Sequence, residues 1–360
     1  MATIDVLLPI KNALPFLSES IESVQSQTFR DWRLLILDHG STDGSTELAS
    51  RYAEADKRIV VLENRNAPGL AGLLNFGLGK ADGRIVVRQD GDDVSLPARF
   101  QTVVDTFSAD PELIVLGSSA SMIDAEGRER GHITHPESHA AITARCFFCN
   151  PFIHPALAVN FPLMKRLGAS YGSDILNAVP SDKSIRVLGL AEDYFLFGQL
   201  ALLGPCRNLR IPLIKYRYHS QSVSFARRSA QIACALDISR FLAASFARMK
   251  GTVAFDPTPF CSHHEYVFDC GRSDYLEEFD RMAASLRQGL GSSPELTREL
   301  AFRRVLAKRG LPGMALGYAV FALKNGWRAA EQRLVRNWLA RFVNDKKIIR
   351  VDALRGDAGR

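Results

Sequence analysis

Four times in the first 117 residues a short apolar run rich in β-branched side chains gives way to a stretch with helical periodicity, and this alternation narrows the possible folds more than any other feature. The β-type runs are IDVLLPI (4–10), DWRLLILD (31–38), RIVVLEN (58–64) and GRIVVRQD (83–90). Between them, 15–27 sets Phe16, Leu17, Ile21 and Val24 on one helical face, 41–56 opens with Ser, Thr and Asp as cap candidates and Glu47 in its first turn, and 69–81 forms a third helical pattern. Four strand–helix units predict a parallel sheet covered on both faces, whose ligands bind at the carboxyl ends of the strands. The polar clusters fall at those ends: Lys11 and Asn12, then Asp38 and His39, then Asn64 to Asn66, then Asp90, Asp92 and Asp93.

Beyond about residue 118 the alternation breaks. A helix is expected near 137–146, and AEDYFLFGQLALLG (191–204) carries Tyr194, Leu196, Phe197 and Leu200 at mixed spacing, as in a helix buried on more than one side. IPLIKYRYH (211–219) reads as a strand, and from about 226 the pattern is helical, with breaks expected at 251–262 and 289–294. At 360 residues and 46% hydrophobic content, the chain has material for a large core, as one large domain plus a second region or as two domains. MATIDVLLPI has no basic leader and is interrupted by Asp5 and Pro9, so a first strand is expected in place of a signal peptide, and no export. LPGMALGYAVFAL (311–323), the longest nearly apolar run, has 13 residues, so no membrane span is expected. Six scattered cysteines predict reduced thiols; CFFC (146–149) reads as core filler, and CSHHEYVFDC (261–270) lacks the paired short spacings of a zinc module.

Charge is uneven. Residues 301–360 hold 14 Lys and Arg against 4 Asp and Glu, a balance of +10, which leaves about −4 for the first 300 of a chain whose total is +6. In the helical pattern at 326–343, Trp327, Leu334, Trp338, Leu339 and Phe342 can form an apolar stripe beside Arg328, Arg333, Arg336 and Arg341. That helix either lies on an anionic membrane surface or packs on the protein with a solvated basic face. No nucleic-acid motif accompanies the basic residues, so nucleic acid is not an expected partner.

Three aspartates in RQDGDDVSLP (88–97) repel one another unless a cation sits among them, and Asp-x-Asp after a strand suits a hard divalent ion whose other ligands are substrate phosphates. No G-x-G-x-x-G and no phosphate-binding glycine loop follow the first strand, which removes the dinucleotide-binding and P-loop classes. Glu192 and Asp193 read equally as acids placed for a helix dipole and as a general base for an attacking hydroxyl. Arg217 and His219, two apart on a strand, share a face; the first is an anion partner, and the second is a metal ligand, a phosphate contact or merely packed.

Taken in order, VLLPIKNALPFLSESIESVQSQTFRDWRLLILDHGSTDGS, NAPGLAGLLNFGLGKADG, VVRQDGDDVSLPARF, AEDYFLFGQLALLG and YRYHSQSVS resemble the family 2 glycosyltransferases over residues 3–225. Length and basic tail look most like bacterial enzymes that extend lipopolysaccharide or exopolysaccharide. The resemblance implies an α/β GT-A fold with a mostly parallel sheet, a catalytic domain at 1–225 (nucleotide-binding half 1–117, acceptor-binding half 118–225), and a basic, mainly helical region at 226–360. It further implies Mn²⁺ or Mg²⁺ on Asp92 and Asp90 with His219, and a nucleotide sugar bound by Pro9, Asn12, Asp38, His39, Asn75, Arg88, Asp90 and Arg217. Asp193, beside Glu192, matches the catalytic base of inverting members. The acceptor would be a glycan or lipid-linked oligosaccharide, and the location cytoplasmic, with peripheral membrane contact through the basic region. One departure stands out: where family members carry an acid that reads the nucleotide base, this chain has His39, which leaves a UDP-sugar the expected donor with dTDP- or GDP-sugars open. The competing readings are a sugar nucleotidyltransferase, for which IKNALPF supplies no glycine- and arginine-rich loop, and a silent nucleotide-sugar-binding or scaffold protein, distinguished by donor turnover.

Overall fold

The computed structural model describes residues 2–219, 228–263, 266–272, 274–339 and 348–350. Its chain forms two compact units, one of Met1–His139, Phe152–Ile175 and Arg186–Arg227, the other of Ala140–Pro151, Leu176–Ile185 and Arg228–Arg360. In the first unit the expected alternation is present as β1 (Ile4–Ile10), α1 (Leu14–Gln25), β2 (Trp32–Asp38), α2 (Ser45–Ala55), β3 (Ile59–Glu63), α3 (Gly69–Leu78) and β4 (Ile85–Arg88). There follow β5 (Val94–Ser95), α4 (Arg99–Ala109), β6 (Val115–Ile123), β7 (Glu129–Ile133), then α5 (His139–Arg145), which apart from His139 belongs to the second unit, and, back in the first unit, β8 (Ala158–Asn160), α6 (Phe161–Arg166), α7 (Glu192–Leu203) and β9 (Cys206–Arg217).

Strands β1 to β4 pair in parallel in the order β3-β2-β1-β4, so their carboxyl ends share one edge. The sheet then turns mixed, because β8 runs antiparallel to both β4 and β6, and β9 pairs parallel with β6. Two reversals restore the original direction, so β9 also ends at the edge where β4 ends. Helix α7 stops two residues before β9 starts and must run against it, which brings the α7 N-terminus to that edge as well. Burial explains why the strands read as unbroken apolar runs: all seven residues of β1 are covered, and helices pack on them closely. A Cβ on Gly77 of α3 would stand 2.4 Å from Leu37 Cδ1, so a glycine is what permits that approach. Helix α7 is buried around nearly its whole circumference, as its mixed spacing implied.

Two local expectations change. Helix α2 begins at Ser45, with Gly44 in the left-handed region at its N-cap; of the three cap candidates Ser41 holds the preceding loop through Asn12 N, while Asp43 accepts from Ser45 N at 3.0 Å as well as from Leu14 N. In α1, Leu17, Ile21 and Val24 are fully buried, but Phe16 is half-buried and lies against Arg217 and His219.

The second unit comprises α8 (Arg228–Lys250), β10 (Val267–Asp269), α9 (Leu276–Leu290), α10 (Pro294–Ala307), α11 (Leu311–Asn325), α12 (Ala329–Leu339) and β11 (Ile348–Arg350), with β10 and β11 paired in parallel. Phe147 and Phe148 of CFFC are fully buried here, the former against Phe246 and Phe255, and all six cysteines are free thiols. A buried ion cluster crosses the unit: Glu299 accepts from Arg145 Nε at 2.9 Å and from Arg303 Nε at 2.7 Å. Burial would raise the Glu299 carboxyl, but the two arginines bring it down to about 2. By length and composition, Ala230–Lys250 of α8 is apolar enough to cross a membrane, which the 13-residue run had not suggested; 61% of its most apolar window is buried inside the protein. The stripe expected on 326–343 splits. Leu334 and Val335 are buried and Leu339 packs against them, whereas Trp327 is exposed; the Trp338 side chain, Arg341 and Phe342 lie outside what is described.

Candidate active site

At the shared strand edge of the first unit, the Asp90, Asp92 and Asp93 carboxylates come within 4.8 Å of one another. The loop carrying them is anchored from below by side chains that sequence reasoning passed over. Gln89 is fully buried; its amide donates to Asp93 O at 2.8 Å and its carbonyl accepts from Ser95 Oγ and from Arg99 Nη1. Arg99, also fully buried, further donates to Arg88 O and Pro155 O. One signal for Arg99 was available, since a cation at the first position of a helix opposes the macrodipole and needs another employment.

From above, β9 grips the same loop. Arg217, 2% exposed, donates its backbone N–H to Asp93 Oδ1 at 2.8 Å and its Nε to Asp92 O at 2.8 Å. Its remaining nitrogens go to Asp124 O, Ala125 O and Glu19. Arg217, expected as an anion partner, has its guanidinium buried and bonded to protein, where it braces the loop. His219 Nε2 lies 2.9 Å from Asp92 Oδ2, and because a carboxylate only accepts, that nitrogen carries the proton. Serving as a metal ligand through Nε2 would require it to give that proton up.

The carboxylates fit a divalent cation. Burial, with Asp90 and Asp92 adding like charge, pushes the Asp93 carboxyl well above the usual range, and its Oδ2 is buried without a partner. Burial also raises Asp90, against the pull of neighbouring Arg88. A cation would relieve both the repulsion and the unpaired oxygen. Arg88 itself is 4% exposed, donates to Asp90 and Gln89 O, keeps an unpartnered Nε, and lines a small cavity with Leu7, Tyr171 and Phe197.

The first two strand ends form a polar lattice. Asp38 is buried and accepts from Ser41 N at 2.9 Å, Ser41 Oγ at 2.8 Å and Thr46 Oγ1. Asn12, in the left-handed region at φ 56°, accepts from Thr42 N at 2.8 Å, and Pro9 is buried within β1. His39 Nε2 donates to Ala67 O at 2.9 Å, so in the neutral ring Nδ1 is left as an acceptor. Asn75 is committed elsewhere, its amide donating to Tyr171 O at 3.0 Å and accepting from Tyr171 N at 2.8 Å, which ties α3 to that loop.

Glu192 and Asp193 open α7 after Ala191, which sits at φ 58°. Glu192 is buried, and burial together with the Asp193 charge pushes it up to about 7, with Asp90 adding to the effect and Arg88 opposing it. The two acidic clusters thus share one electrostatic environment, as the topology of α7 and β4 requires.

The model for glycosyl transferase family 2 matches residues 5–166. EpsE of Bacillus subtilis, which bears a glycosyltransferase name, is 34% identical over 227 residues, covering 63% of this chain and 76% of that protein. The chain belongs to glycosyltransferase family 2. Among its other relatives, the O-antigen biosynthesis glycosyltransferase WbnJ of Escherichia coli is 27% identical, over 61% of this chain and 81% of that one. The structure of residues 1–349 of Staphylococcus aureus TarS in complex with UDP superposes with a TM-score of 0.51 at 14% identity, covering 94% and 90% of the two chains. That likeness supports the GT-A arrangement of a mixed sheet flanked by helices, with a helical region following it.

Proposed function

We propose that this family 2 glycosyltransferase moves a hexosyl or N-acetylhexosaminyl group from a UDP-sugar (UDP-GlcNAc, UDP-Gal or UDP-Glc) to a hydroxyl of a glycan or lipid-linked oligosaccharide. The work is the building of bacterial surface polysaccharide, such as lipopolysaccharide, at the cytoplasmic side of the membrane. The observation that carries this reading is the meeting of two acidic groups at one strand edge, Asp90, Asp92 and Asp93 at the end of β4 and Glu192 with Asp193 at the start of α7. The O-antigen pathway named for WbnJ and the UDP bound by TarS support the substrate class.

In the mechanism, Asp193 takes the proton of the acceptor hydroxyl as its oxygen attacks the anomeric carbon, and displacement from the opposite side inverts that centre. Glu192 keeps a second carboxyl beside the base. Pro9, Asn12 and Asp38 shape the nucleoside cleft, His39 Nδ1 accepts from uracil N3–H, and Arg88 and Asp90 border the sugar diphosphate. Arg217 and Asn75 act as positioning residues. Asp92 and Asp90 would hold Mn²⁺ or Mg²⁺, with His219 orienting Asp92; such a cation supplies charge neutralisation for the departing diphosphate.

The test is Asp193→Asn in the full chain. UDP binding by calorimetry should be retained while transfer falls by about 10²–10⁴-fold, the span of general-base catalysis. An undiminished rate would remove Asp193 from the role.

A further inference from the structure

Helix α11 is apolar on both sides. Met314, Tyr318, Phe321 and Ala322 face the core of the second unit. On the opposite side, Leu316, Val320 and Leu323, spaced four and three apart, share one face and are 68%, 44% and 81% exposed. Trp327, just beyond the helix, is 63% exposed, with its ring edge-on to Tyr318. A helix apolar all round belongs in an interior or against a partner, and four large apolar side chains gathered in water mark an interaction surface.

Charge says which partner. From Leu311 to Leu339 the chain carries Lys324, Arg328, Arg333 and Arg336 and a single acid, Glu331. Glu331 is buried and bound by Arg298, with Nη2 to Oε2 at 2.9 Å, so it is withdrawn from the surface, whereas Lys324, Arg328, Arg333 and Arg336 are exposed. Lys324 adjoins Leu323, and Arg328 adjoins Trp327. An apolar ridge with a Trp beside it and an excess of cations complements the headgroup region of an anionic bilayer, where apolar side chains enter the acyl boundary and cations meet lipid phosphates.

We propose that the exposed face of α11, formed by Leu316, Val320, Leu323 and Trp327 and flanked by Lys324 and Arg328, is the surface through which this protein docks on anionic phospholipid. This deepens the proposed work at the cytoplasmic side of the membrane and rests on that reading. It also moves the contact: of the stripe expected from sequence, Leu334 and Leu339 of α12 are turned inward, and the lipid-facing residues come from the helix before it and from Trp327.

The experiment is co-sedimentation of the full chain with vesicles of phosphatidylcholine alone and of phosphatidylcholine mixed with phosphatidylglycerol. Binding to the anionic vesicles is expected, weakened by salt, and lowered at least ~10-fold by Leu316→Gln/Leu323→Gln. Lys324→Glu should weaken it at low salt. Because these side chains are exposed, an unchanged melting temperature verifies that the variants remain folded. Equal binding by wild type and the double variant, or no preference for anionic lipid, overturns the proposal. So does a lipid-free dimer that Leu323→Gln dissociates, since the face would then belong to a second copy. A wild-type chain that transfers sugar but binds neither kind of vesicle refutes the docking surface and leaves the transferase reading standing; a wild-type chain that binds anionic vesicles through this face but transfers no sugar does the reverse.

Discussion

At the scale of single residues, the site shows how burial turns ordinary acids into reactive ones. Glu192 has a folded pKa of about 7 against an ordinary 4.5, first because it is buried and second because Asp193 is beside it. Between those values the folded chain binds more protons than the unfolded one, so stability falls as pH rises through that window. Glu192→Gln should abolish that loss, making the variant more stable than wild type at pH above the window by on the order of 1–3 kcal/mol, with little difference below it. Urea unfolding at the two ends of the window checks this, and parallel curves for the two proteins would refute it. Arg99 presents the opposite case, a buried cation whose value lies in what it holds. Arg99→Met removes the donors to Arg88 O and Pro155 O and one of the bonds to Gln89 and Ser95 under the aspartate loop, and a loss of about 1–3 kcal/mol for each buried oxygen left unpaired is expected in the same assay.

Among elements, packing distance governs. Helix α3 approaches β2 because Gly77 has no side chain, and Gly77→Ala forces a methyl against the buried Leu37. The expected cost is about 1–3 kcal/mol, read as a lower midpoint with an unchanged denaturant slope. Strand β9 illustrates a different coupling. Its pairing with β6 carries register shifts near Ser119, and it then delivers Arg217 and His219 to a loop more than 120 residues earlier in the chain. Strand existence was legible in IPLIKYRYH, and so was the shared face of Arg217 and His219. Which of them braces the loop and which faces its carboxylate was not, because alternation reports side-chain direction and says nothing of the neighbour met there.

For the whole molecule, nucleotide binding provides the discriminating measurement. Thermal unfolding with UDP and Mn²⁺ should show stabilisation of about 2.7 kcal/mol at a hundredfold excess over Kd, cancelled by EDTA and reduced in Asp92→Ala. GDP or dTDP giving the larger shift would overturn the role of His39 as a uracil reader. The four-fold alternation in the first 117 residues was enough to predict a parallel arrangement with polar residues gathered at the carboxyl edge, because that periodicity directly encodes which sides of each element are buried. The spacing of Asp90, Asp92 and Asp93 likewise announced an acidic cluster, and the three carboxylates do come together. Tertiary structure alone decided that Asn75 and Arg217 are spent on protein, that His39 uses Nε2 on Ala67, and that α11 rather than α12 exposes its apolar side. The physical reason is common to all of these: a side chain has a fixed number of donors, acceptors and faces, and only the fold brings up the distant groups that compete for them.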